Sequence, residues 1–416
     1  MQLYKFGGGS LINSDAIKQL YNIVKNNIGN LIIVISAFGK TTNAFENILE
    51  KYYYKNNYSK YFNDLKEFHI NIIKELFDKK DEIWGMLDKE FLNLENKLRK
   101  DVTEDYDFEY DQIVPFGEIF STKIISKYLN NNGISNIWLD ARKHLLTDNN
   151  YREAHINWEK SKTNFKEAIN FDKSEVYITQ GFIGGSTNNY STTLGREGSD
   201  FSAAILANLM NAENVTIWKD VPGILSADPK LFEDADLIPE IDYREAIELT
   251  YYGAKVIHPK TIKPLMEKNI PLYVRSFDEP EKKGTVIKSF SKSISYHPSI
   301  IYKENQALCN IRFYNHLKAI EQQLYDIFHY FSEIKIKSNL VHISTAQITF
   351  CIDNQKERIK KLFSKLKGDY EIEIKENIDL ITIRHYDNKT ILKYINPEKI
   401  IISQIDEENA HYIIRN

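Results

Sequence analysis

The segment Thr192–Asp200, with the sequence TTLGREGSD, combines residue types that suit the binding of an anion. Gly195 and Gly198 predict a tight turn, and the alanine-rich run after them predicts a helix. We expect Ser199 to cap this helix, whose free N–H groups and dipole favour negative charge. The planar fork of Arg196 matches a carboxylate or a phosphate. An ordinary capped helix after a glycine turn explains the same residues, so both interpretations stay open here.

A second glycine turn follows the first predicted strand of the chain. Gln2–Phe6 reads as a strand, Gly7–Ser10 as a turn, and Ser14–Asn27 as a helix with apolar residues at helical spacing. This order lets backbone amides approach a phosphate, although it is neither a P-loop nor a dinucleotide fingerprint. Lys5 is placed to bring an ammonium to the same anion, but a solvated lysine at a strand end is the commoner case.

Polar residues also follow a second strand and open a later helix. Leu31–Ile35 is a continuous apolar run, typical of a strand buried on both faces of a parallel sheet, and Ser36–Asn43 follows it. Ligands gather at the carboxyl ends of such strands, although these hydroxyls would equally serve to cap the next helix. Glu118 lies in the first turn of a predicted helix that begins at Phe116, where a carboxylate also suits the helix dipole.

Alternating strands and helices must position these groups. Further strands are predicted at Trp138-Leu139, Val176–Thr179, Val215–Trp218, Pro271–Val274 and Thr285–Ile287. The stretch from Thr42 to Lys100 is helical in pattern and predicts a helical lid, Gly181–Ser191 predicts a hairpin or a mobile loop, and Lys219–Lys230 predicts a shaped loop. His258 has no partner at metal-ligand spacing and is interpreted as a structural histidine. The pattern is that of an α/β fold with a mainly parallel sheet.

Length and composition exclude several classes of protein. The chain has 416 residues, a hydrophobic fraction of 42% and a net charge of −4, which predicts two or three units with sizeable cores and no nucleic-acid or anionic membrane partner. Two cysteines, Cys309 and Cys351, have neither metal spacing nor a disulfide framework. No apolar run has membrane-spanning length and the N-terminus does not read as a signal peptide, so we expect a cytoplasmic protein.

The composition becomes serine-rich near Ser289–Ser299, where we predict a linker. Beyond it the pattern is βαββαβ, the ferredoxin-like order, with elements at Ala307–Phe313, Leu317–Phe331, Ile334–Ile336, Ala346–Ile352, Glu357–Leu366 and Glu371–Ile374. About 40 residues remain after Glu376, and they offer three strands near Leu380–Arg384, Ile400–Ser403 and Tyr412–Ile414 with one short helix around Thr390–Ile395. These residues are expected to extend a shared sheet without adding a second full pair of helices.

Taken together, the motifs over residues 1–290 resemble those of aspartate kinases in the amino-acid kinase superfamily. Four blocks carry the resemblance: Lys5–Ser10, Thr192–Asp200, Trp218–Asp228 and Gly253–Pro259. Ser36–Asn43 and Phe116-Gly117-Glu118 favour aspartate kinase over siblings that act on glutamate, acetylglutamate, carbamate or UMP. The tail resembles ACT regulatory modules. The resemblance implies an αβα sandwich with a mainly parallel sheet over residues 1–290 and an ACT-like α+β region over 299–416, with its second module reduced.

The resemblance further implies transfer of the γ-phosphoryl group of ATP to the β-carboxylate of L-aspartate, giving 4-phospho-L-aspartate. This reaction opens the biosynthesis of lysine, threonine and methionine. Lys5 and Asp200 would be the catalytic pair. Glu118 would bind the substrate ammonium and Arg196 a substrate carboxylate, and neutral hydrogen bonds would come from Ser36, Thr42 and Ser199.

The nucleotide site implied by the resemblance comprises Lys5, Phe6, Gly7, Gly8, Lys219, Asp220, Leu225, Lys230 and Lys255. Mg²⁺ would rest mainly on phosphate oxygens, without a cage of protein ligands. Glu197 stands where many members of the family have glycine, a change that we treat as tolerated. Three further residues depart from the family pattern, namely Gly9 in place of threonine, Leu225 in place of tyrosine and Lys230 in place of arginine. These changes bear on nucleotide affinity more than on the type of reaction.

Alternative functions are a non-catalytic, amino-acid-binding regulatory subunit and a kinase of another small amino acid or carboxylate. The joint presence of Lys5, Arg196, Ser199 and Asp200 argues against the first, and Glu118 with Arg196 favours an α-amino acid. We also expect a homodimer through the C-terminal region, motivated by the apolar stretch Ala346–Ile352 beside Ile372–Ile374 and Leu380–Ile383. The turn Phe313–Leu317 lacks the glycine usual at ACT effector sites, so the effector pocket is expected to be incomplete.

Overall fold

The computed structural model describes residues 1–254, 257–291, 296–314 and 319–416. The chain separates into two compact units. The first contains residues 1–224, 237–247 and 256–294, and the second contains residues 225–236, 248–255 and 295–416. Residues 225–236 and 248–255 thus belong to the second unit, although we predicted them to be part of the region over residues 1–290.

The elements up to residue 287 alternate as expected for an α/β fold. In chain order they are β1 (Gln2–Phe6), α1 (Ser14–Lys25), β2 (Leu31–Ile35), α2 (Thr41–Tyr53), α3 (Ser59–Leu76), α4 (Ile83–Leu98), α5 (Tyr106–Ile113), α6 (Phe116–Asn131), β3 (Asn136–Leu139), α7 (Ala141–His144), β4 (Leu146–Thr147), α8 (Trp158–Ala168), β5 (Val176–Gln180), β6 (Ile183–Ser186), β7 (Ser191–Thr193), α9 (Gly198–Met210), β8 (Asn214–Lys219), β9 (Glu240–Ile241), α10 (Tyr243–Tyr252), α11 (Pro259–Glu267), β10 (Leu272–Ser276) and β11 (Thr285–Ile287).

An eight-stranded sheet organises the first unit, in the order β3-β5-β2-β1-β8-β10-β11-β9. Every pairing is parallel except that of β10 with β11, so the predicted, mainly parallel sheet is confirmed. All five residues of β2 and of β5 are buried, as expected for strands covered on both faces. The two-residue strand β9 was not predicted, because it is too short for a periodic pattern.

The register of β1 and β8 decides which side chains share a face. Lys5 pairs with Ile217 and Phe6 with Trp218. Paired residues of adjacent strands point to the same face, and side chains alternate along a strand. Lys5 and Lys219 therefore lie on one face of the sheet, and Phe6 and Trp218 lie on the other.

The stretch predicted as a helical lid is helical as expected and forms three helices, α2, α3 and α4, whose apolar residues form one core with α5 and α6. A close approach brings α6 against the loop after β2. A Cβ atom added to Gly117 would lie 2.9 Å from Cβ of Ala37 and 3.3 Å from the ring of Phe45. The absence of a side chain at Gly117 thus lets the first turn of α6, which carries Glu118, reach the carboxyl edge of the sheet.

The segment Gly181–Ser191 forms a hairpin, which was one of its two predicted forms. Strands β6 and β7 pair antiparallel, with Ile183 opposite Thr193, and β4 pairs with β6 to give a three-stranded sheet in the order β4-β6-β7. Strand β7 lies at the edge of this sheet, and its last two residues begin the Thr192–Asp200 segment.

The second unit contains an antiparallel sheet. Its elements beyond residue 298 are β12 (Ser299–Phe313), α12 (Ile320–Ile334), β13 (Ser338–Ile343), β14 (Gln347–Asp353), α13 (Lys356–Leu366), β15 (Tyr370–Arg384), α14 (Asn388–Tyr394), a 3₁₀ turn (Pro397–Lys399), β16 (Ile400–Ile405) and β17 (Asn409–Arg415). The six strands have the order β13-β14-β12-β15-β17-β16, so the last residues do extend a shared sheet. Part of the predicted linker lies outside the described residues.

Two strand predictions in this unit are wrong. Ile334–Ile336 is not a strand, because the apolar period of α12 continues through Ile334 and the left-handed residue Lys335, with φ 59°, ends the helix. The strand begins at Ser338 instead. The stretches predicted separately at Glu371–Ile374 and Leu380–Arg384 form one strand, β15, which pairs with β12 through register shifts.

The apolar stretch on which we based the dimer is covered within its own unit. Ile348, Phe350 and Ile352 are buried in a core that also contains residues of α12 and α13. They are therefore not available to a partner copy, and that part of the expectation is corrected. In the part of the chain that the structure describes, no helix is both long and apolar enough to cross a membrane.

Candidate active site

Three charged side chains meet at the carboxyl edge of the parallel sheet. Asp200, in the first turn of α9, is only 3% exposed. The ammonium nitrogen Nζ of Lys5 lies 2.5 Å from Asp200 Oδ1, and Nζ of Lys219 lies 3.2 Å from Oδ2. Burial opposes ionisation of Asp200, but the two ammonium groups outweigh it and hold the pKa of this carboxyl below its ordinary value. The carboxylate thus fixes two positive charges side by side.

The glycine turn after β1 closes around this cluster. A Cβ atom on Gly7 would lie 3.3 Å from Nζ of Lys5, and one on Gly8 would lie 2.6 Å from the carbonyl oxygen of Ala37. Gly8 therefore has no space for a side chain, and a side chain at Gly7 would displace the Lys5 ammonium slightly. Gly9 has more space, since its Cβ would come no closer than 3.8 Å to Oδ2 of Asp220.

Glu118 is a buried carboxyl with an unused oxygen. The N–H of Ala37 donates to Oε1 at 3.3 Å, and Oε2 has no hydrogen-bond partner. Burial raises the pKa of Glu118 to about 8, against the opposing effects of the Ala37 hydrogen bond and the positive charge of Lys5. A group of this kind is suited to receive a cation that enters the site.

Ser36 and Thr42 flank the carboxyl end of β2. The N–H of Ser36 donates to the carbonyl of Phe6 at 3.2 Å, and its own carbonyl accepts from Oγ of Ser121 at 2.8 Å. Thr42 is the second residue of α2, whose N-cap is Lys40, without a side-chain cap. The alternative that hydroxyls of this segment serve as the N-cap is therefore not the observed arrangement.

The turn before α9 differs from expectation at Ser199. The helix begins at Gly198, and its N-cap is Glu197 in the left-handed conformation with φ 58° and no side-chain cap. The prediction that Ser199 caps the helix is wrong, because the left-handed residues Gly195 and Glu197 turn the chain into α9 two residues earlier. Ser199 is half-buried, and a Cβ on Gly181 would lie 2.6 Å from its Cβ. Arg196 is exposed at the tip of the turn.

The residues predicted to bind nucleotide are only partly brought together. Gly7, Gly8 and Lys219 adjoin the Lys5–Asp200 pair, and Asp220 is exposed after β8. The side chain of Phe6 is fully buried on the opposite face beside Trp218, so any nucleotide contact of this residue would use its backbone. Leu225 and Lys230 belong to the second unit, where Lys230 is exposed. Lys255 lies outside the described residues.

Other candidate groups have structural roles. His258 is the N-cap of α11 and accepts a hydrogen bond from the N–H of Lys260 at 3.1 Å, which confirms its structural interpretation. Cys309 and Cys351 are buried free thiols, and burial raises the pKa of each to about 12. Over residues 1–254, 257–291, 296–314 and 319–416, no group of three or more His, Cys, Asp or Glu side chains is arranged to hold a metal ion.

Sequence reasoning missed that Lys219 pairs with Asp200, since Lys219 was assigned to the nucleotide alone. The signal was present in the register, because Lys219 lies two residues beyond Ile217, the partner of Lys5. A period-two argument across neighbouring strands would have placed both lysines on the face covered by α9.

The site thus lies on an α/β fold with a mainly parallel sheet, a glycine turn after its first strand and two paired lysines at its carboxyl edge. The chain belongs to the amino acid kinase family, whose family model matches residues 1–276. Among its curated relatives is the bifunctional aspartokinase/homoserine dehydrogenase of Haemophilus influenzae, 33% identical over 321 residues that cover 75% of this chain. Another is the lysine-sensitive aspartokinase 3 of Escherichia coli, 27% identical over 393 residues, which covers 91% of this chain and 86% of that protein.

The chain spans only 39% of the length of the Haemophilus protein and 32% of a bifunctional relative from Zea mays. Among solved structures, E. coli aspartokinase III in complex with aspartate and ADP superposes with a TM-score of 0.83 at 24% identity. The superposition covers 100% of this chain and 96% of that one, and it shows that the two share a fold.

Proposed function

We propose that this protein is an ATP-dependent aspartate kinase that transfers the γ-phosphoryl group to the β-carboxylate of L-aspartate. The observation that carries the proposal is the ion-paired cluster of Lys5, Asp200 and Lys219 at the same sheet edge as Glu118, whose buried Oε2 has no hydrogen-bond partner. The similarity to aspartokinases of Haemophilus influenzae and Escherichia coli supports the same activity. The product, an acyl phosphate, would feed the synthesis of lysine, threonine and methionine.

The mechanism needs charge stabilisation more than proton transfer. A carboxylate nucleophile is ionised at neutral pH, so the reaction requires no general base. Lys5 and Lys219 neutralise charge that develops on the transferring phosphoryl group, and Asp200 holds both ammonium groups in place before the nucleotide arrives. Because the cluster is preorganised and buried, its charges act in a medium of low dielectric constant.

Two further charged side chains, Glu118 and Arg196, recognise the substrate. Glu118 pairs with the ammonium of aspartate, and the exposed Arg196 binds one of its carboxylates with two parallel hydrogen bonds. Ser36, Thr42 and Ser199 donate neutral hydrogen bonds. An α-amino dicarboxylic acid presents the ammonium and the two carboxylates that this set requires.

ATP is held by the backbone amides of the Gly7-Gly8 turn and by Lys219 and Asp220, with Leu225, Lys230 and Lys255 proposed for the adenosine part. Mg²⁺ fits as an ion bound to the nucleotide, because both oxygens of Asp200 already face lysines. When bound, it would neutralise phosphate charge.

The test is formation of acyl hydroxamate from ATP and aspartate, compared with glutamate and acetylglutamate in parallel reactions. The proposal expects product with aspartate alone, or at least tenfold more than with either alternative. Equal or greater product with another carboxylate would reject aspartate as the substrate. No product with any of them, from folded protein that still binds ATP, would favour a non-catalytic subunit.

We further propose a homodimer through the C-terminal sheet. In the described residues its outer strands are β13 and β16, and Ile343 on β13 is 50% exposed. Open strand edges of this kind pair readily with a second copy. Light scattering at micromolar concentration is expected to give a dimer, and Ile343→Lys to shift it towards monomer. Leu392→Lys, on the 80% exposed side chain of α14, is the matched control and should leave the dimer intact.

Feedback inhibition by lysine or threonine is expected to be weak or absent. Strands β16 and β17 extend the sheet, but among the described residues after β15 the one α-helix is α14, which has no buried residue. The turn at Asn315–Leu317, where the glycine of effector sites is missing, lies outside the described residues. Rates measured with lysine, threonine and both together test the expectation, and half-inhibition below about 1 mM by either would contradict it.

A further inference from the structure

Strand β7, which leads into the Arg196 turn, is held at its open edge by two side chains of α5. Asp111 Oδ1 accepts the hydroxyl of Thr193 at 2.7 Å, and Oδ2 accepts the N–H of the same residue at 2.9 Å. The side-chain amide of Gln112 donates to the carbonyl of Ser191 at 3.0 Å and accepts its N–H at 3.2 Å. Gln112 thus replaces the peptide group of a missing neighbouring strand.

Asp111 also fixes the loop against which the turn packs. Its Oδ2 accepts the N–H of Arg152 at 3.0 Å, a residue in the left-handed conformation with φ 66°. A Cβ on Gly195 would lie 2.9 Å from the carbonyl oxygen of Arg152. The carboxyl is fully buried, which raises its pKa to about 6 although all three hydrogen bonds favour the ionised form. One buried group therefore anchors both sides of the segment that precedes Arg196.

The same helix leads to the other proposed substrate charge. Helix α5 ends at Ile113 and continues through the buried Val114 and through Pro115 into α6, whose first turn carries Glu118. Helix α5 is thus connected to both groups. Its hydrogen bonds hold the segment that precedes Arg196, and the chain itself leads from it to Glu118.

We propose that Asp111 and Gln112 are positioning residues that set the place of Arg196 relative to Glu118 and thereby the affinity for the amino-acid substrate. The inference rests on the proposed function, because it takes Arg196 and Glu118 as the groups that bind aspartate. Neither positioning residue touches substrate. They act by fixing the positions of Arg196 and Glu118, because a small displacement of a binding group strongly reduces the affinity for the substrate.

The kinetic test compares Asp111→Ala with Asp111→Asn. The alanine variant loses three hydrogen bonds, and we expect the KM for aspartate to rise about tenfold or more while the KM for ATP stays within about twofold. Asparagine restores all three contacts, since its oxygen accepts both N–H groups and its amide donates to the Thr193 hydroxyl, which rotates. Asp107→Ala is the matched control, because it removes only the surface ion pair with the Arg152 side chain at 3.0 Å.

A second readout does not depend on catalysis. Trypsin cleaves after Arg196, and release of β7 should accelerate that cut about fivefold or more in Asp111→Ala, with fragments 1–196 and 197–416 identified by mass spectrometry. Gln112→Ala, at a half-buried position, is the second variant should Asp111→Ala not fold, and it should also speed cleavage. Equal rises in both KM values, or unchanged cleavage in folded variants, would overturn the proposal. Absence of aspartate kinase activity in the unaltered protein would reject the proposed function instead. The cleavage rates would still test whether Asp111 and Gln112 hold β7 in place.

Discussion

Lys5→Ala and Asp200→Ala are each expected to reduce kcat by about a hundredfold or more while leaving the protein folded. Loss of one preorganised charge that stabilises a transition state typically raises the barrier by about 3–4 kcal/mol. Lys5→Ala removes the ammonium that lies 2.5 Å from Asp200, and Asp200→Ala leaves Lys5 and Lys219 without the carboxylate between them. Steady-state kinetics on variants with native circular dichroism spectra measure the effect.

The matched control is a lysine–aspartate pair on the surface of the same unit. Lys18 lies 2.8 Å from Asp15 on α1, and both side chains are largely exposed. Such exposed pairs contribute little to stability and nothing to the chemistry, so Lys18→Ala should retain full activity. If Lys5→Ala or Asp200→Ala kept more than about a tenth of the kcat of the unaltered protein, the roles assigned to this pair would be wrong.

Local patterns predicted the strands and helices at the sheet edge. The glycine turn after β1, the apolar run of β2 and the alanine-rich α9 each depend on residues close in sequence, and all three elements are where they were expected. Lys5 and Asp200 were paired through resemblance alone. The structure adds the physical reason, since β1 and β8 place two lysines on the face that α9 covers.

Contacts between distant residues could not be predicted. The burial of Glu118 requires Gly117 to pack against Ala37, a residue 80 positions earlier, and nothing near either residue indicates it. Asp111 reads as an ordinary helical carboxylate until its contacts with Thr193 and Arg152 are seen. Ser199 failed as a cap for a similar reason, because the left-handed Glu197 is stabilised by the turn as a whole and not by its own propensity.

Glu118→Gln is expected to raise the KM for aspartate by about thirtyfold or more and to change the KM for ATP little. The variant keeps the size of the side chain but leaves the substrate ammonium without a counter-charge in a buried site, at a cost of about 2–5 kcal/mol. Glu90→Gln is the matched control, since Glu90 is also a buried glutamate but pairs with Lys123 at 2.6 Å on the outer side of α6. Equal increases in both KM values would indicate general damage.

The pH dependence separates this role from a structural one. Burial raises the pKa of Glu118 from 4.5 to about 8, so the free protein keeps the neutral carboxyl in the range where the unfolded chain is ionised. The stability that this neutral group contributes is complete below pH 4.5 and is lost as the pH rises through about 8. Glu118→Gln should therefore gain thermal stability over the unaltered protein as the pH is raised across this window.

Binding of aspartate should show the opposite trend, because the ammonium requires the ionised carboxylate. Affinity in the unaltered protein is expected to increase with pH until about 8 and then level off, with a proton released on binding below that pH. Glu118→Gln should show neither the increase nor the proton release. Calorimetric titrations in two buffers of different ionisation enthalpy measure both quantities. A pH-independent affinity in the unaltered protein, or the same proton release in the variant, would remove Glu118 from the substrate site.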